Sequence, residues 1–243
     1  MEKKRIFEVC AFNTASAVIA ENAGAYRVEL CDNPAEGGTT PSYGALKKTR
    51  ERISIKLYPI IRPRCGNYFY SEEEMDIIRD DIWLSKELQC DGISVGVQRP
   101  DGRIDTEALK RIVEWAYPMG VTCNRAFDAA PEPFQALEDV ISAGCERILT
   151  SGQKSSVMEG AVLLAKLVKE AGKRIVIMPG AGVKSSNIVQ LMGITKASEY
   201  HGSARVVDDT ALELLNPEVK DNGMPCLADE EEIRKIVSLI SVV

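Results

Sequence analysis

The amino-acid sequence predicts an α/β protein that folds as a single (β/α)8 TIM barrel. The chain has 243 residues, close to the roughly 250 of a barrel without large insertions. Short apolar segments alternate with helical ones along the chain, as expected for a parallel sheet covered by helices. Glycine-containing loops follow the last two strand-like segments, at Met178 to Gly182 and at His201 to Ala204. Because barrels often bind phosphate in these loops, the pattern predicts a barrel with an anion site at its mouth.

Eight short apolar segments are predicted as the barrel strands. They are Ile6 to Cys10, Tyr26 to Leu30, Lys56 to Ile61, Gly92 to Val95, Val121 to Asn124, Arg147 to Thr150, Ile175 to Met178 and about Ser198 to His201. Pro59 removes a backbone donor from the third strand, so we expect the pairing to be interrupted there. An open doubly wound sheet is the alternative, but no GxGxxG motif follows the first strand.

Capping residues and apolar spacing predict the helices between these strands. They cover about Thr14 to Asn22, Ser42 to Arg52, Ser71 to Leu88, Asp105 to Ala116, Pro133 to Ala143, Met158 to Ala171, Ser186 to Met192 and Asp229 to Ile240. Asn13 or Thr14 can cap the first helix, and Ser71 with Glu74 matches a capping box. Residues 1–243 are expected to form one domain, with the barrel core at about 5–205 and an irregular segment plus the last helix at about 206–243.

Composition limits the partners that the chain is expected to have. A net charge of −6 and a pI near 5.1 leave no basic stripe for nucleic acid. The sequence shows no signal core and no spanning helix, so we expect no membrane partner. Its seven cysteines lack a CxxC pattern, which favours reduced thiols in the cytoplasm over a disulfide framework. Nothing in the sequence indicates an organic cofactor.

Charged residues gather at the predicted strand ends, where barrels carry their active sites. The first two strands repeat one pattern, Glu8-Val9-Cys10 and Glu29-Leu30-Cys31, and the period of two places each glutamate and its cysteine on one strand face. One interpretation is a structural network of glutamates and arginines. The other is a functional site in which the arginines and glycine loops bind an anion while an acidic group or the histidine moves a proton. On that interpretation the proton-transfer candidates are Glu8, Glu29, Asp128 and His201.

The predicted anion site combines the two glycine loops with two arginines that follow the third and fifth strands. Its residues are Arg62, Arg125, Gly180, Ala181, Gly182, Gly202 and Ser203. A helix beginning near Ser203 would add its positive end to this site. The loop from Ala35 to Pro41 contains two further glycines and is either a second phosphate-binding loop or the hinge of a lid.

Cys10 and Cys31 occupy equivalent positions on the first two strands, so their sulfur atoms are expected close together. Buried neutral thiols often act only as small apolar groups, whereas soft thiolates suit Cu(I). A two-sulfur copper site requires the sulfurs to lie within about 4.5 Å, twice a metal–thiolate bond. Zinc is disfavoured, because four ligands at a recognisable spacing are absent. The sequence thus predicts low-coordinate copper as the metal that Cys10 and Cys31 would hold.

Several segments together resemble the CutC family of copper homeostasis proteins. They are Glu8 to Cys10, Arg27 to Cys31, Ala35 to Gly38, Thr40 to Ser42, Ile61 to Arg64, Tyr70 to Glu74, Pro100 to Asp105, Arg125 to Asp128, Arg147 to Gly152, Met178 to Val183 and His201 to Ala204. The resemblance covers nearly the whole chain and implies a cytosolic TIM barrel that forms homo-oligomers and handles copper. It implies a copper-binding role for Cys10 and Cys31.

Two positions depart from the usual family pattern. Asn124 stands where the family has histidine, and an amide cannot titrate near neutrality. Cys65-Gly66-Asn67 replaces Gly-Gly-Asp after Arg64. The sequence therefore leaves two hypotheses open. The first is a Cu(I)-binding protein, and the second is a barrel enzyme that acts on a small anionic or phosphorylated metabolite.

Overall fold

A computed structural model describes residues 5–208 and 226–242, and it confirms the predicted barrel. Eight parallel strands form its wall: β1 Ile6–Ala11, β2 Arg27–Leu30, β3 Lys56–Pro59, β4 Gly92–Val95, β5 Gly120–Cys123, β6 Arg147–Thr150, β7 Val176–Pro179 and β8 Glu199–Gly202. Seven helices alternate with them: α1 Thr14–Asn22, α2 Tyr43–Arg52, α3 Glu72–Glu87, α4 Thr106–Ala116, α5 Pro133–Ala143, α6 Ala161–Ala171 and α7 Ile188–Thr195.

The strands close into a ring that follows the chain order. Two four-stranded parallel sheets, β3-β2-β1-β8 and β4-β5-β6-β7, make up the wall. At one seam, the backbone N–H of Ile61 donates to the carbonyl of Ser94 at 2.8 Å and joins β3 to β4. At the other seam, β7 packs beside β8. β3 ends at Pro59, which still pairs with Leu30 of β2. The interruption expected at Pro59 therefore does not occur in the pairing with β2, and the next residue, Ile60, forms the bridge to Ser94 of β4.

The helix starts follow the capping chemistry in the sequence. Asn13 accepts from the backbone N–H of Ser16 at the start of α1, and Ser71 and Glu74 form the expected capping box before α3. Two starts differ from the prediction by more than one residue. α6 begins at Ala161 instead of Met158, and α7 begins at Ile188. In the second case Asn187 Oδ1 accepts from the N–H of Lys184 at 2.9 Å and holds the preceding residues in a turn.

The chain after β8 corrects the prediction for the irregular segment. Its first residues form strand β9 Arg205–Val207, which pairs antiparallel with β10 Cys226–Ala228. No helix begins near Ser203, so that predicted positive helix end is wrong. Residues 209–225 of the predicted irregular segment lie outside the described part of the chain. The last helix, α8 Glu230–Val242, buries Ile233, Ile236 and Ile240 and packs beside α1 and α7.

The main apolar core lies between the barrel wall and the helices. Alternate strand residues such as Phe7, Val9 and Val28 are buried there with apolar helix side chains such as Ile78 and Leu109. The other strand residues face the barrel interior, and many of them are charged. Within the described ranges, every helix is too short or too polar to cross a membrane. The barrel therefore presents a polar interior that opens at the carboxyl ends of its strands.

Candidate functional site

A cavity of about 530 Å³ opens at the carboxyl ends of the strands, the face on which barrel enzymes carry their active sites. Ten of the residues expected in the site line it: Cys10, Glu29, Arg62, Arg125, Asp128, Ala181, Gly182, His201, Gly202 and Ser203. Glu8, Cys31 and Gly180 do not line the cavity. Glu8 and Cys31 instead contact residues of its floor.

The floor of the cavity contains the two cysteines predicted from the repeated Glu-x-Cys pattern. β1 and β2 pair with Cys10 opposite Glu29, which brings Cys31 to a diagonal position. Cys10 Sγ and Cys31 Sγ lie 3.7 Å apart, inside the expected limit. Cys31 Sγ is also 3.6 Å from Glu29 Oε2. One potential ligand atom from each of Cys10, Glu29 and Cys31 lies within 4.8 Å of the others.

The two thiols differ in acidity because they share one hydrogen bond. The hydrogen bond from Cys31 lowers the pKa of Cys10 below its ordinary value, against the effect of burial. The same contact, together with burial, raises the pKa of Cys31 well above its ordinary value. Cys10 is partly exposed to the cavity, whereas Cys31 is buried. The accessible sulfur is thus the more acidic one.

His201 connects this floor to a buried carboxylate. β8 pairs with β1 so that His201 lies opposite Glu8, and the distance from His201 Nδ1 to Glu8 Oε1 is 2.7 Å. Its other nitrogen is 3.8 Å from Glu29 Oε2. Burial lowers the pKa of His201, but contacts with Cys10 and Glu8 and the charge of Glu29 outweigh it and raise the pKa well above the ordinary value. These contacts therefore favour the protonated form of the ring.

Glu8 stays ionised in the interior because Arg27 pairs with it. Burial raises the pKa of Glu8, but the charge of Arg27 and the hydrogen bond with His201 reverse this and hold the pKa well below its usual range. Arg27 also donates to Glu199 Oε2 at 2.7 Å, and Arg147 donates to the same oxygen at 2.6 Å. Glu8 was predicted from the sequence as a site residue, whereas Arg27, Arg147 and Glu199 were not. These three residues occupy strand positions that face the barrel interior, and that pattern in the sequence could have predicted them.

Asp128 lies at the cavity, and hydrogen-bond donors surround its carboxylate. Its oxygens accept hydrogen bonds from Thr150 Oγ1 at 2.5 Å, from the backbone N–H and hydroxyl of Ser151, and from the N–H of Gln153. Arg125 Nε donates to it at 2.8 Å. The expected proton-transfer role of Asp128 is thereby disfavoured, because these contacts occupy its lone pairs. Asp128 instead holds the loop after β6 against the short 3-10 helix Arg125–Ala129.

The loop after β2 covers the sulfur pair and binds Arg62. The carbonyls of Glu36 and Gly38 each accept from Arg62 Nη1 at 2.8 Å. The loop thus directs carbonyl oxygens, which are acceptors, toward Arg62. Because a phosphate is bound by N–H donors, this arrangement argues against the second phosphate-binding loop expected here. Gly38 has φ of +99°, and a Cβ there would lie 3.2 Å from Cys31 Sγ. A glycine lets the loop approach the sulfur closely.

The two glycine loops meet at the opposite side of the cavity. Within the described residues, the backbone N–H groups of Gly182 and Ser203 donate to no backbone carbonyl, and both residues line the cavity. Gly180 is not available and is removed from the predicted anion site. Its N–H donates to the carbonyl of Thr150 at 2.9 Å, and a Cβ there would lie 2.5 Å from Leu149 Cδ1. Arg205, which was not predicted as a site residue, also lines the cavity.

Together, the closed eight-stranded ring and the polar cavity at its carboxyl end define a TIM-barrel protein with a cysteine-containing mouth. The CutC family profile matches residues 5–206. A CutC family protein from Chromobacterium violaceum is 50% identical over 201 residues, covering 83% of this chain and 81% of its own length. One from Parabacteroides distasonis is 48% identical over 217 residues and covers 89% of both chains. The chain belongs to the CutC family.

Solved structures support the same assignment. The crystal structure of a putative copper homeostasis protein CutC from Streptococcus agalactiae matches with a TM-score of 0.77 and 33% identity, over 82% of this chain and 98% of that chain. A phosphoribosylanthranilate isomerase from Thermotoga maritima matches with a TM-score of 0.60 over 98% of this chain and 100% of that chain. At 12% identity the second match shows the shared barrel fold alone.

Proposed function

We propose that this CutC family member binds Cu(I) as cargo through Cys10 and Cys31. The observation that carries the proposal is the 3.7 Å separation of their sulfur atoms. Two bonds of about 2.3 Å, a typical metal–thiolate length, span at most about 4.6 Å. The existing pair can therefore hold one soft ion between its sulfurs, with an outward shift of less than about 1 Å if the site is linear. The adjacent Glu29 carboxylate is the third potential donor.

The surroundings of the pair favour a cuprous ion over harder ions. Thiolates select soft metals, and two sulfurs with one carboxylate fall short of the four-ligand set of a structural zinc site. Cys10 faces the cavity and provides the route of entry, while Gly38 covers Cys31 from the other side. The hydrogen bond from Cys31, and after it the one with His201, lower the pKa of Cys10 and so favour the thiolate form that a soft metal binds.

An anaerobic titration against a chromophoric Cu(I) chelator tests this proposal. The wild type should take up one Cu(I) per chain, and Cys10→Ser and Cys31→Ser should each abolish that uptake. Cys65→Ser removes an exposed thiol and should leave both the stoichiometry and the affinity unchanged. Wild-type affinity in a Cys10→Ser/Cys31→Ser double variant would overturn the proposal.

A second candidate function rests on the glycine loops: an enzyme that acts on a small anionic or phosphorylated metabolite. The N–H groups of Gly182 and Ser203, with Arg205 beside them, support an anion at this side of the cavity. His201 and Glu29 lie at the cavity floor, where a bound molecule would meet a proton donor and an acceptor. Asp128 is no longer part of this proposal.

A thermal-shift titration with inorganic phosphate tests the anion site. Phosphate should raise the melting temperature of the wild type, and Ser203→Asp should remove the shift because it places a carboxylate beside the anion. Ser155→Asp adds the same charge on an exposed loop residue outside the cavity and should keep the shift. Equal shifts in all three proteins would mean that these loops are only turns.

A cytoplasmic location, homo-oligomeric assembly and the absence of nucleic-acid partners remain predictions from the sequence.

A further inference from the structure

Two buried nitrogen atoms in the cavity wall have no hydrogen-bond partner. They are Arg62 Nε and Asn124 Nδ2, in side chains that are 5% and 3% exposed. Both residues line the mouth cavity. Buried donors without a partner are rare in folded proteins, because each loses its hydrogen bonds to water without replacement. Within the described residues, two of the four buried side-chain atoms without a partner belong to residues that line this one cavity, which points to a ligand that supplies the missing acceptors.

Arg62 also carries a charge that no carboxylate neutralises within the described residues. Its Nη1 donates to the carbonyls of Glu36 and Gly38, and its Nη2 donates to the carbonyl of Gly66 at 2.8 Å. These carbonyls fix the guanidinium in place, and the ring of Tyr68 lies against it with its centroid 4.9 Å away. The other buried arginines, Arg27 and Arg147, each pair with a glutamate. The wall at Arg62 is therefore a fixed positive site.

Asn124 presents its amide nitrogen in a fixed orientation. It follows β5, and its Oδ1 accepts from the backbone N–H of Ala126 at 2.9 Å. Gly96 packs against the same oxygen, since a Cβ there would lie 2.3 Å from Oδ1. The oxygen is thus occupied and enclosed, and the NH2 end is the one left over. This end can donate to an acceptor but cannot accept, bind a metal ion or exchange a proton near neutrality.

We propose that Arg62 and Asn124 form a carboxylate subsite, and that the cavity binds a small molecule with a carboxylate at this wall and a phosphate at the Gly182–Ser203 loops. The carboxylate part rests on the second proposed function, the anion site, and goes beyond it. A carboxylate has two acceptor oxygens, one for each nitrogen, and its single negative charge balances that of Arg62. A neutral hydroxyl would leave that charge unpaired. A second phosphate would bring two negative charges, more than Arg62 balances, into a cavity that Glu29 and Glu36 also line.

Calorimetric binding of two matched probes tests the subsite. Phosphoglycolate carries a phosphate and a carboxylate, whereas 2-hydroxyethyl phosphate has a hydroxyl in place of the carboxylate. The wild type should bind phosphoglycolate at least about tenfold more tightly, the scale of one charge-assisted contact. Asn124→Asp keeps an oxygen for the N–H of Ala126 but replaces the donor with a negative charge, so the ratio should fall to near one. Gln190→Glu, an exposed position on α7, should keep the wild-type ratio.

A nuclear magnetic resonance measurement on the wild type covers the case in which Asn124→Asp does not fold. The side-chain NH2 resonance of Asn124 should shift with phosphoglycolate and stay unchanged with 2-hydroxyethyl phosphate. Equal affinity for the two probes, or an unmoved Asn124 resonance, would overturn the carboxylate subsite while leaving the phosphate site intact. Failure to bind inorganic phosphate or either probe would overturn both.

Discussion

The substitution Glu8→Gln tests the buried charge network that positions His201. It keeps the shape of the side chain but removes the negative charge between Arg27 and His201. Removing one partner of a buried ion pair typically costs about 3–5 kcal/mol. Arg27 keeps Glu199 as a second partner, so we expect a loss near the lower limit, about 3 kcal/mol. For a protein of this size, that corresponds to a fall in melting temperature of about 6–12 °C.

Urea unfolding measures this loss, with Glu230→Gln as the control. Glu230 pairs with Arg234 on the exposed face of α8, where both side chains are about half accessible, so that variant should lose less than about 0.5 kcal/mol. If Glu8→Gln also lost less than about 1 kcal/mol, the typical value of an exposed pair, Glu8 would not be the anchor of a buried network. Glu8 would then not be what holds His201 in position.

The difference in the free energy of unfolding between the wild type and Glu8→Gln should depend on pH with a definite sign. Glu8 has a lowered pKa in the fold, so its stabilisation is present above its unfolded pKa of about 4.3 and is lost as pH falls. His201 has a raised pKa, so its stabilisation is complete below about 6.5 and is lost as pH rises through the folded value. The difference between wild type and Glu8→Gln should therefore be largest between about pH 4.3 and 6.5. It should shrink at higher pH without vanishing, because Arg27 remains charged.

Two further predictions concern the packing of the barrel interior and the acidity of Cys10. Gly92→Ala should destabilise the protein by about 1–3 kcal/mol in urea unfolding, because its Cβ would lie 2.1 Å from the Tyr58 ring. Gly44→Ala, in α2 where an added Cβ has no neighbour within 4 Å, should stabilise the protein by about 0.5–1 kcal/mol. If Gly92→Ala were instead the more stable variant of the two, the close contact between Gly92 and the Tyr58 ring would be refuted. The rate of Cys10 alkylation as a function of pH, followed by peptide-resolved mass spectrometry, should show that the pKa of Cys10 lies below that of an ordinary thiol. Cys31→Ala should raise this pKa, because it removes the hydrogen bond from Cys31. An unchanged alkylation profile would mean that Cys31 does not stabilise the thiolate.

Local patterns in the sequence were enough to predict the barrel and much of its mouth. The capping residues Asn13 and Ser71 act at the helix starts expected of them. The repeated Glu-x-Cys pattern placed Cys10 and Cys31 at neighbouring strand ends, because parallel strands in register align their carboxyl ends. These predictions depend on periods of two and on short-range caps, which a single sequence displays directly.

The remaining features depend on contacts between distant parts of the chain. The network of Arg27, Arg147 and Glu199 joins three strands, and nothing near each residue marks its partner. Gly180 was placed in the anion site from its loop, but its N–H is taken by the carbonyl of Thr150 on the neighbouring strand. Pairing between β9 and β10 was missed because the two strands are separated by a long polar segment. The free nitrogen of Asn124 becomes visible only once the fold shows which of its atoms are occupied.

X-ray absorption spectroscopy of the Cu(I)-loaded protein tests the central claim, that Cys10 and Cys31 hold one copper ion between them. The copper-edge fine structure should show two sulfur neighbours at about 2.2–2.3 Å in the wild type. Cys65→Ser should give the same spectrum, since that thiol is exposed and does not belong to the group of Cys10, Glu29 and Cys31. A shell of nitrogen or oxygen atoms without sulfur, or a two-sulfur shell that persists in Cys10→Ser, would contradict the account.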